Sequence, residues 1–362
     1  MTEPTFILHG PDTTMVATGM RDAFDDTTAA ALALRQGSVD LVVGALPFDL
    51  RTPAALLTPE RLTDRLPTPT GGLAMVQIAE SLPRHTEHRR RIAAALIRLR
   101  DPADPLQKVV LARALRLVAN EPLDPRAIMA RLIAADPKAT AYLADLSPAG
   151  PGYRGALLLG ASPEMLVQRC GDQVRCLPFA GSAPRCADPE ADLIQGQSLA
   201  ASTKDRYEHQ LVIETMRDAL APLCLPLEAA AEPQLSRTAT LWHLATPIQA
   251  QLRHPSITAL DLALALHPTP AVGGVPTAEA VDVVADLEGG ARGFYAGAVG
   301  WCNASGDGRW VVAIRGAELA ADRRSAVARA GGGIVAASDP DDEVAETVTK
   351  FRTILTALNV TE

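Results

Sequence analysis

Apolar and polar residues alternate along this chain in two periods, one typical of strands and one typical of helices. Short apolar or alternating runs predict strands at 5–9, 40–46, 72–78, 108–118, 155–160 and 165–168. Apolar residues at helical spacing predict helices at 27–36, 85–100, 203–224 and 277–287. Residues 293–303 and 309–319 predict a hairpin, because ASGDG (304–308) between them is a favourable turn sequence. Hairpins mixed with long helices indicate an α+β fold class rather than a doubly wound parallel sheet.

Two glycine-containing segments predict turns beside these elements. PFAGSAP (178–184) is one, and AGGG (330–333) is the other. The second turn leads into a predicted helix, because Ser338 or Asp339 can cap it and Pro340 suits its first turn. The start of a helix near Pro340 is therefore expected.

The helix after Pro340 separates apolar from charged residues. Its apolar stripe is predicted to consist of Val344, Val348, Phe351 and Leu355. Glu343, Glu346 and Lys350 fall on another face. Two interpretations stay open: a solvated face with charge pairs, or carboxylates that hold a cation over a ligand approached by the glycine backbone.

The predicted helix 203–224 places carboxylates where apolar residues are expected. Its buried stripe is defined by Val212, Met216, Ala219 and Leu223. Asp205 and Glu208 lie on that same stripe. Buried carboxylates must be paired, protonated or bound to a metal, so this helix favours a cation site.

Composition narrows the class of protein. The net charge is −8 over 362 residues, and no Lys/Arg cluster is interleaved with aromatics, which argues against nucleic acid. No stretch approaches about 20 uninterrupted apolar residues, so neither membrane insertion nor a secretory leader is expected and the protein is predicted to be cytoplasmic. The five cysteines have no metal-ligand spacing and are expected to be reduced.

Lysine is scarce in this chain. Among 34 basic residues only Lys108, Lys138, Lys204 and Lys350 are lysines. Arginine is in practice never deprotonated, so a lysine retained against this bias can mark a group that loses its proton, although chance explains any single case. Lys108 opens an apolar strand, where it either extends to solvent or points into a site. His243, among apolar residues, is by default a core histidine.

Nine segments taken together resemble the chorismate-utilising enzymes, which include isochorismate, salicylate, anthranilate and aminodeoxychorismate synthases. They are KVVLAR (108–113), ASPEMLV (161–167), PFAGSAPR (178–185), KDRYEH (204–209), LWHLAT (241–246), HPTPAVGGVP (267–276), RGFYAGAVGW (292–301), VVAIRGAE (311–318) and the stretch 330–350. The resemblance implies a single chorismate-binding domain over 1–362, with a divergent part at 1–100 and a catalytic part at 101–362. It also implies two related α/β halves that form a β-sandwich core with helices outside.

The same resemblance implies a Mg²⁺ cofactor and a substrate site for chorismate. Glu208 and Glu346 are similar in position to metal ligands, with Glu343 and Asp205 in support. The groups implied to hold the substrate are Arg315, Tyr295, Lys350, His243, Ala271, Val272 and the backbone of Gly181, Ser182 and Gly331. Mg²⁺ suits such a site because it accepts a few hard carboxylates and keeps waters.

Lys108 resembles the base that activates water for attack at C2, and Glu164 resembles the acid that protonates the departing C4 hydroxyl. Burial lowers the pKa of an amine and raises that of a carboxylic acid, which suits these two roles. Three departures from the family pattern stand out: Ser182 for threonine, Gly273 for serine or cysteine, and Ala291 for an acid. The first two are expected to be tolerated, and nothing in the sequence explains the third.

The expected activity is that of an isochorismate synthase feeding menaquinone or siderophore biosynthesis. The amine-adding members lack the lysine at position 108 and no glutamine amidotransferase signature is present, so water is the expected nucleophile and no amidotransferase subunit is expected. A monomer is predicted. The pair Ala271-Val272 resembles isochorismate synthases, whereas salicylate synthases tend to Thr-Ala. The alternatives are a salicylate synthase that also eliminates pyruvate, and a non-catalytic cation-binding relative.

Overall fold

The computed structural model describes residues 3–72 and 74–360. In that part of the chain the α-helices are α1 Thr27–Arg35, α2 His85–Leu99, α3 Pro125–Ala135, α4 Pro189–Ala201, α5 Thr203–Leu220, α6 Ala259–Leu266, α7 Thr277–Glu288 and α8 Pro340–Ala357. Their starts follow local rules: Asp339 caps α8 through the amides of Asp341 and Asp342, and Ser202 caps α5 through the amide of Asp205.

The strands fall into three sheets. A ten-stranded sheet contains β1 Pro4–Gly10, β2 Thr13–Thr18, β6 Arg61–Thr63, β7 Val76–Leu82, β8 Lys108–Ala119, β9 Thr140–Asp145, β10 Leu157–Ser162, β18 Gly274–Val275, β21 Gly316–Leu319 and β22 Ser325–Ile334. A nine-stranded sheet contains β3 Asp22–Phe24, β4 Leu41–Leu46, β5 Ala55–Thr58, β11 Met165–Cys170, β12 Gln173–Leu177, β14 Glu228–Ala229, β17 Ile248–Gln251, β19 Ala298–Asn303 and β20 Gly308–Val312. A small sheet contains β13 Phe179–Pro184, β15 Gln234–Arg237 and β16 Leu241–Ala245.

The two large sheets face each other across an apolar core. Phe6 and Tyr142 from one sheet meet Val43, Val299 and Val311 from the other in this core. Helices α3 and α8 contribute to a second apolar cluster with the ten-stranded sheet. Helices α5, α6 and α7 contribute to a third. The predicted α+β fold with a β-sandwich core and helices outside is confirmed.

The centre of the predicted hairpin 293–303/309–319 is confirmed, because β19 and β20 pair antiparallel, but its two outer ends are wrong. The first strand begins only at Ala298, and the second is interrupted between β20 and β21, which belong to different sheets. Arg315 lies at this crossover with a φ of 59°, outside any strand. The Tyr142 hydroxyl donates to the carbonyl of Ile314 at 3.0 Å and so supports the crossover.

Both glycine segments predicted as turns are strands. Residues 331–333 lie inside β22, opposite Ala112, Leu111 and Val110 of β8. Residues 179–184 form β13, which pairs with β16 and contains a bulge at Gly181, whose φ is 77°. In both segments glycine serves close approach within a sheet and not chain reversal.

Two helix predictions also need correction. The predicted helix 203–224 ends at Leu220, and Cys224 instead bridges to Leu252. The buried face of α8 consists of Glu343, Thr347, Phe351, Ile354 and Ala357. Val348, which was predicted to belong to the apolar stripe, is 40% exposed. The predicted stripe is right for Phe351, which is buried, and for Val344 and Leu355, which pack against apolar clusters. The prediction missed Glu343, which turns inward, where Lys204 of α5 meets it.

Candidate active site

A pocket lies where α5, α8, β13, β16 and β22 meet the 269–273 loop and the Arg315 crossover. The predicted site residues that line it are Glu164, Gly181, Ser182, Glu208, His243, Ala271, Val272, Tyr295, Arg315, Gly331, Glu346 and Lys350. Lys108, Asp205 and Glu343 are not in its wall. Lys108 is buried behind Glu208, and the other two face an adjoining cavity that shares Ser182 and Glu346 with the pocket.

Lys108 and Glu208 form a buried ion pair. The Lys108 Nζ lies 3.0 Å from Oε1 of Glu208, and the lysine side chain is fully buried. A β-carbon on Gly333 would lie 2.0 Å from the same oxygen, so only glycine leaves room for this carboxylate. The glycines of β22 are therefore part of the construction of the site.

Glu164 follows β10, at the corner where the chain turns into β11. Burial raises the pKa of Glu164 to about 7, against the opposing charges of Lys108 and Arg315. A carboxyl group with this pKa is partly protonated near neutral pH and can donate a proton.

Glu346 and Lys350 are one helical turn apart on α8 and form an ion pair. Ser182 donates from Oγ to Oε1 of Glu346 at 2.9 Å, and Lys350 donates to the carbonyl of Gly331 at 2.9 Å. Burial raises the pKa of Glu346, but the charge and hydrogen bond of Lys350 lower it by more. The pKa of Glu346 therefore lies below its usual range. This glutamate is ionised.

Glu343 is paired with Lys204, which the sequence did not assign to the site. The Lys204 Nζ donates to Oε1 of Glu343 at 2.6 Å, whereas Oε2 is buried without a hydrogen-bond partner. Burial and the charge of Glu346 raise the pKa of Glu343 to about 7. Lysine scarcity was the signal that could have found Lys204, because three of the four lysines lie at this site.

Within the described residues, no group of three or more His, Cys, Asp or Glu side chains lies close enough to hold a metal ion by itself. The carboxylates nevertheless suit a hard cation. Glu208 and Glu346 reach the pocket with oxygen ligands, and Oε2 of Glu343 is a buried acceptor without a donor. This donor set fits Mg²⁺, which completes its octahedral shell with water and substrate oxygens.

Cationic and aromatic side chains form another part of the pocket wall. Arg315 and Tyr295 both lie in the wall, and burial lowers the pKa of Arg315 and raises that of Tyr295. His243 stacks on Phe179 with ring centroids 5.4 Å apart. Burial, helped by the charges of Arg315 and Lys350, holds the pKa of His243 well below its usual range, so this ring is neutral. Arg329 and Phe179 are wall residues that the sequence did not single out.

An α+β sandwich whose pocket wall combines carboxylates with arginine, tyrosine and lysine fits a protein that binds a small charged molecule. The chain matches the family model described as chorismate binding enzyme over residues 58–359. It belongs to that family, which confirms the resemblance found in the sequence.

Individual relatives are similar over most of their length. The chain is 57% identical over 361 residues to MenF of Mycobacterium tuberculosis, which is provisionally named an isochorismate synthase. The alignment covers 99% of this chain and 97% of the relative. It is 41% identical over 341 residues to the isochorismate synthase DhbC of Bacillus subtilis, covering 91% and 85%. The crystal structure of DhbC from Bacillus anthracis superposes with a TM-score of 0.90 at 33% identity, covering 100% of this chain and 97% of that chain.

Proposed function

We propose that this protein is an isochorismate synthase, which adds water at C2 of chorismate and releases the C4 hydroxyl. The observation that carries this proposal is that one pocket has a buried carboxyl group in its wall, Glu164, whose pKa of about 7 suits a proton donor, and a fully buried lysine, Lys108, behind Glu208 of the same wall. Relatives of similar length that are named isochorismate synthases support it.

Lys108 is proposed as the base and Glu164 as the acid. As the free amine, Lys108 takes a proton from the water whose oxygen bonds to C2, while the ring double bonds shift and the bond from C4 to its hydroxyl oxygen breaks. Glu164 gives a proton to the C4 hydroxyl, which leaves as water, so the reaction is an isomerisation. Because Glu164 is buried and partly protonated, it can donate near neutral pH without a proton from solvent.

Arg315, Tyr295 and Lys350 are proposed to hold the two carboxylates of chorismate, with the backbone of Gly181, Ser182 and Gly331. Arg315 supplies a planar donor fork that matches a carboxylate. His243 is proposed to face the substrate ring, since a neutral imidazole stacked on Phe179 presents a flat surface there.

The proposed cofactor is Mg²⁺, held by Glu208 and Glu346 with Glu343 and Asp205 in support. When bound, the ion would neutralise a substrate carboxylate and fix its orientation. Ser182 keeps Glu346 in position through its 2.9 Å hydrogen bond, so the serine that replaces the threonine usual in the family still acts on this carboxylate.

We further propose that the whole chain, 1–362, works as one domain, as a monomer in the cytoplasm and without an amidotransferase subunit. In the part of the chain that the structure describes, no helix is long and apolar enough to cross a bilayer. Isochorismate made by this protein would feed menaquinone or siderophore synthesis.

The test is incubation of the purified protein with chorismate and Mg²⁺, followed by chromatography of the products. Reversible formation of isochorismate without salicylate or pyruvate is expected, because Ala271 offers no hydroxyl and Val272 fills space beside the ring. Pyruvate released in proportion to chorismate consumed would identify a salicylate synthase instead. Tight Mg²⁺ binding without turnover would identify a non-catalytic relative.

A further inference from the structure

Strand β8, which carries Lys108, has a gap along one side. One edge of β8 pairs with β22 from Val109 to Val118. On the other edge, β7 pairs only as far as Ala114 and β18 only as far as Val109. The backbone groups of residues 110–112 on that side therefore face no strand. Buried backbone groups without partners are costly, so something must replace the missing strand.

A side-chain pair fills this gap. Glu288, the last residue of α7, accepts the amide hydrogen of Ala112 on Oε1 at 2.7 Å. Arg292 donates from Nη2 to the carbonyl of Val110 at 2.6 Å and from Nε to Oε2 of Glu288 at 2.9 Å. The amide of Val110 on the same edge donates to the carbonyl of Gly273 at 2.9 Å, and the pair satisfies the Val110 carbonyl and the Ala112 amide that remain.

The third guanidinium nitrogen of Arg292 bonds to a loop that lines the pocket. Its Nη1 donates to the carbonyl of Val272 at 2.7 Å, so the guanidinium joins β8 to the 269–273 loop. Val110 and Val272 both line the pocket. Arg292 is 4% exposed and lies over the ring of Phe48 at 4.4 Å, which leaves it little freedom to move.

The charges of the pair are matched. Burial disfavours the charged guanidinium, but the Glu288 carboxylate more than compensates and raises the pKa of Arg292. The guanidinium is thus charged and preorganised, with three carbonyl or carboxylate partners for a single planar fork. A lysine could keep the charge but could not make all these bonds from one nitrogen.

We infer that Glu288 and Arg292 are positioning residues that set the spacing between the strand of Lys108 and the loop of Ala271 and Val272. The inference rests on the proposed function, since it concerns the reaction catalysed between these two walls. Neither residue lies among the candidate catalytic groups, and both act through backbone atoms. Displacement of about 1 Å at a reacting centre can cost about 10²-fold in rate, so loss of the fork should appear mainly in kcat.

The test compares wild type with Arg292→Lys, Glu288→Gln and Arg91→Ala. Arg91 is the matched control, because it donates to the carbonyl of Glu288 at 3.1 Å without reaching the pocket wall. Thermal stability, kcat and KM for chorismate, and hydrogen exchange of residues 110–112 and 269–273 are measured for each protein. Glutamine at 288 keeps one acceptor oxygen but loses the carboxylate charge and the second oxygen, Oε2, which accepts from Nε of Arg292.

We expect Arg292→Lys to fold, to lose about 10- to 100-fold in kcat with KM changed by less than about 3-fold, and to exchange faster in both segments. Arg91→Ala should match wild type.

A folded Arg292→Lys protein with unchanged kcat or unchanged exchange would overturn the inference. If Arg292→Lys does not fold, Glu288→Gln decides by the same criteria, and failure of both to fold would make the pair merely structural and overturn it. Wild type inactive on chorismate would refute the proposed function, while hydrogen exchange would still test the pair.

Discussion

Replacement of Gly333 by alanine probes the closest approach in the site. The backbone at this residue does not have the left-handed conformation that would exclude alanine, so the local cost lies in the contact alone. The new β-carbon would lie 2.0 Å from Oε1 of Glu208 and 3.0 Å from Cε of Lys108. Ordinary contact begins at about 3.4 Å, so the carboxylate must retreat by about 1.4 Å.

That movement separates Glu208 from Lys108, whose Nζ is now 3.0 Å away. Since an error of about 1 Å can cost about 10²-fold in rate, we expect kcat to fall by at least about 10²-fold. Stability should also fall, because breaking a buried ion pair costs about 3–5 kcal/mol when a partner is left uncompensated, and less here because Glu208 can rotate.

The assay is the initial rate of isochorismate formation as Mg²⁺ is varied, with a thermal melt of each variant. Gly290→Ala is the matched control, because a β-carbon there meets nothing within 4 Å. A Gly333→Ala protein with kcat within about 3-fold of wild type and an unchanged Mg²⁺ dependence would show that Glu208 does not need its present position, and the reasoning would fail.

Four further predictions concern the charged groups. Glu208→Gln and Glu346→Gln should each abolish turnover while melts show a folded protein, because a sparsely liganded Mg²⁺ site loses one charge; near-normal rates at low magnesium would refute the ligand assignment. Lys108→Arg should be inactive although its charge is kept, since arginine gives up no proton at neutral pH, and an active variant would leave Lys108 only an electrostatic role. The rate should fall as pH rises above about 7, where Glu164 loses its proton, and Glu164→Gln should lack this limb. Because burial raises the folded pKa of Glu164 above its unfolded value, the stability contributed by its proton is present at acid pH and is lost as pH rises from about 4.5 to about 7, which thermal melts of wild type and Glu164→Gln can check.

Local sequence patterns predicted the α+β class and most helices because these follow from hydrophobic period and caps, whereas the β-sandwich was implied by the family resemblance. They failed where a residue serves a distant partner. Gly333 looks like a turn residue by itself, yet it lies in a strand. Glycine is needed there because Glu208 occupies the space that a side chain would fill. Arg315 looks like a strand residue, yet the chain changes sheets there.

The candidate site was predicted through family resemblance more than through chemistry. Glu208 was found independently because a carboxylate on a buried stripe is anomalous. Lys204 was noted as one of four lysines, but the sequence did not assign it to the site. The bond between Arg292 and Val110 spans 182 residues, and no local pattern contains such a contact.

The lysines beside the carboxylates have a consequence for metal exchange. Lys108, Lys204 and Lys350 lie within ion-pair distance of Glu208, Glu343 and Glu346. A divalent cation bound at the proposed site would have to compete with these amines, which the chain holds at high effective concentration. Folding would then not depend on the metal, unlike in domains where metal binding is itself the folding energy. The proposed ion would exchange readily, and the rate of the enzyme would follow the free magnesium concentration of the cell.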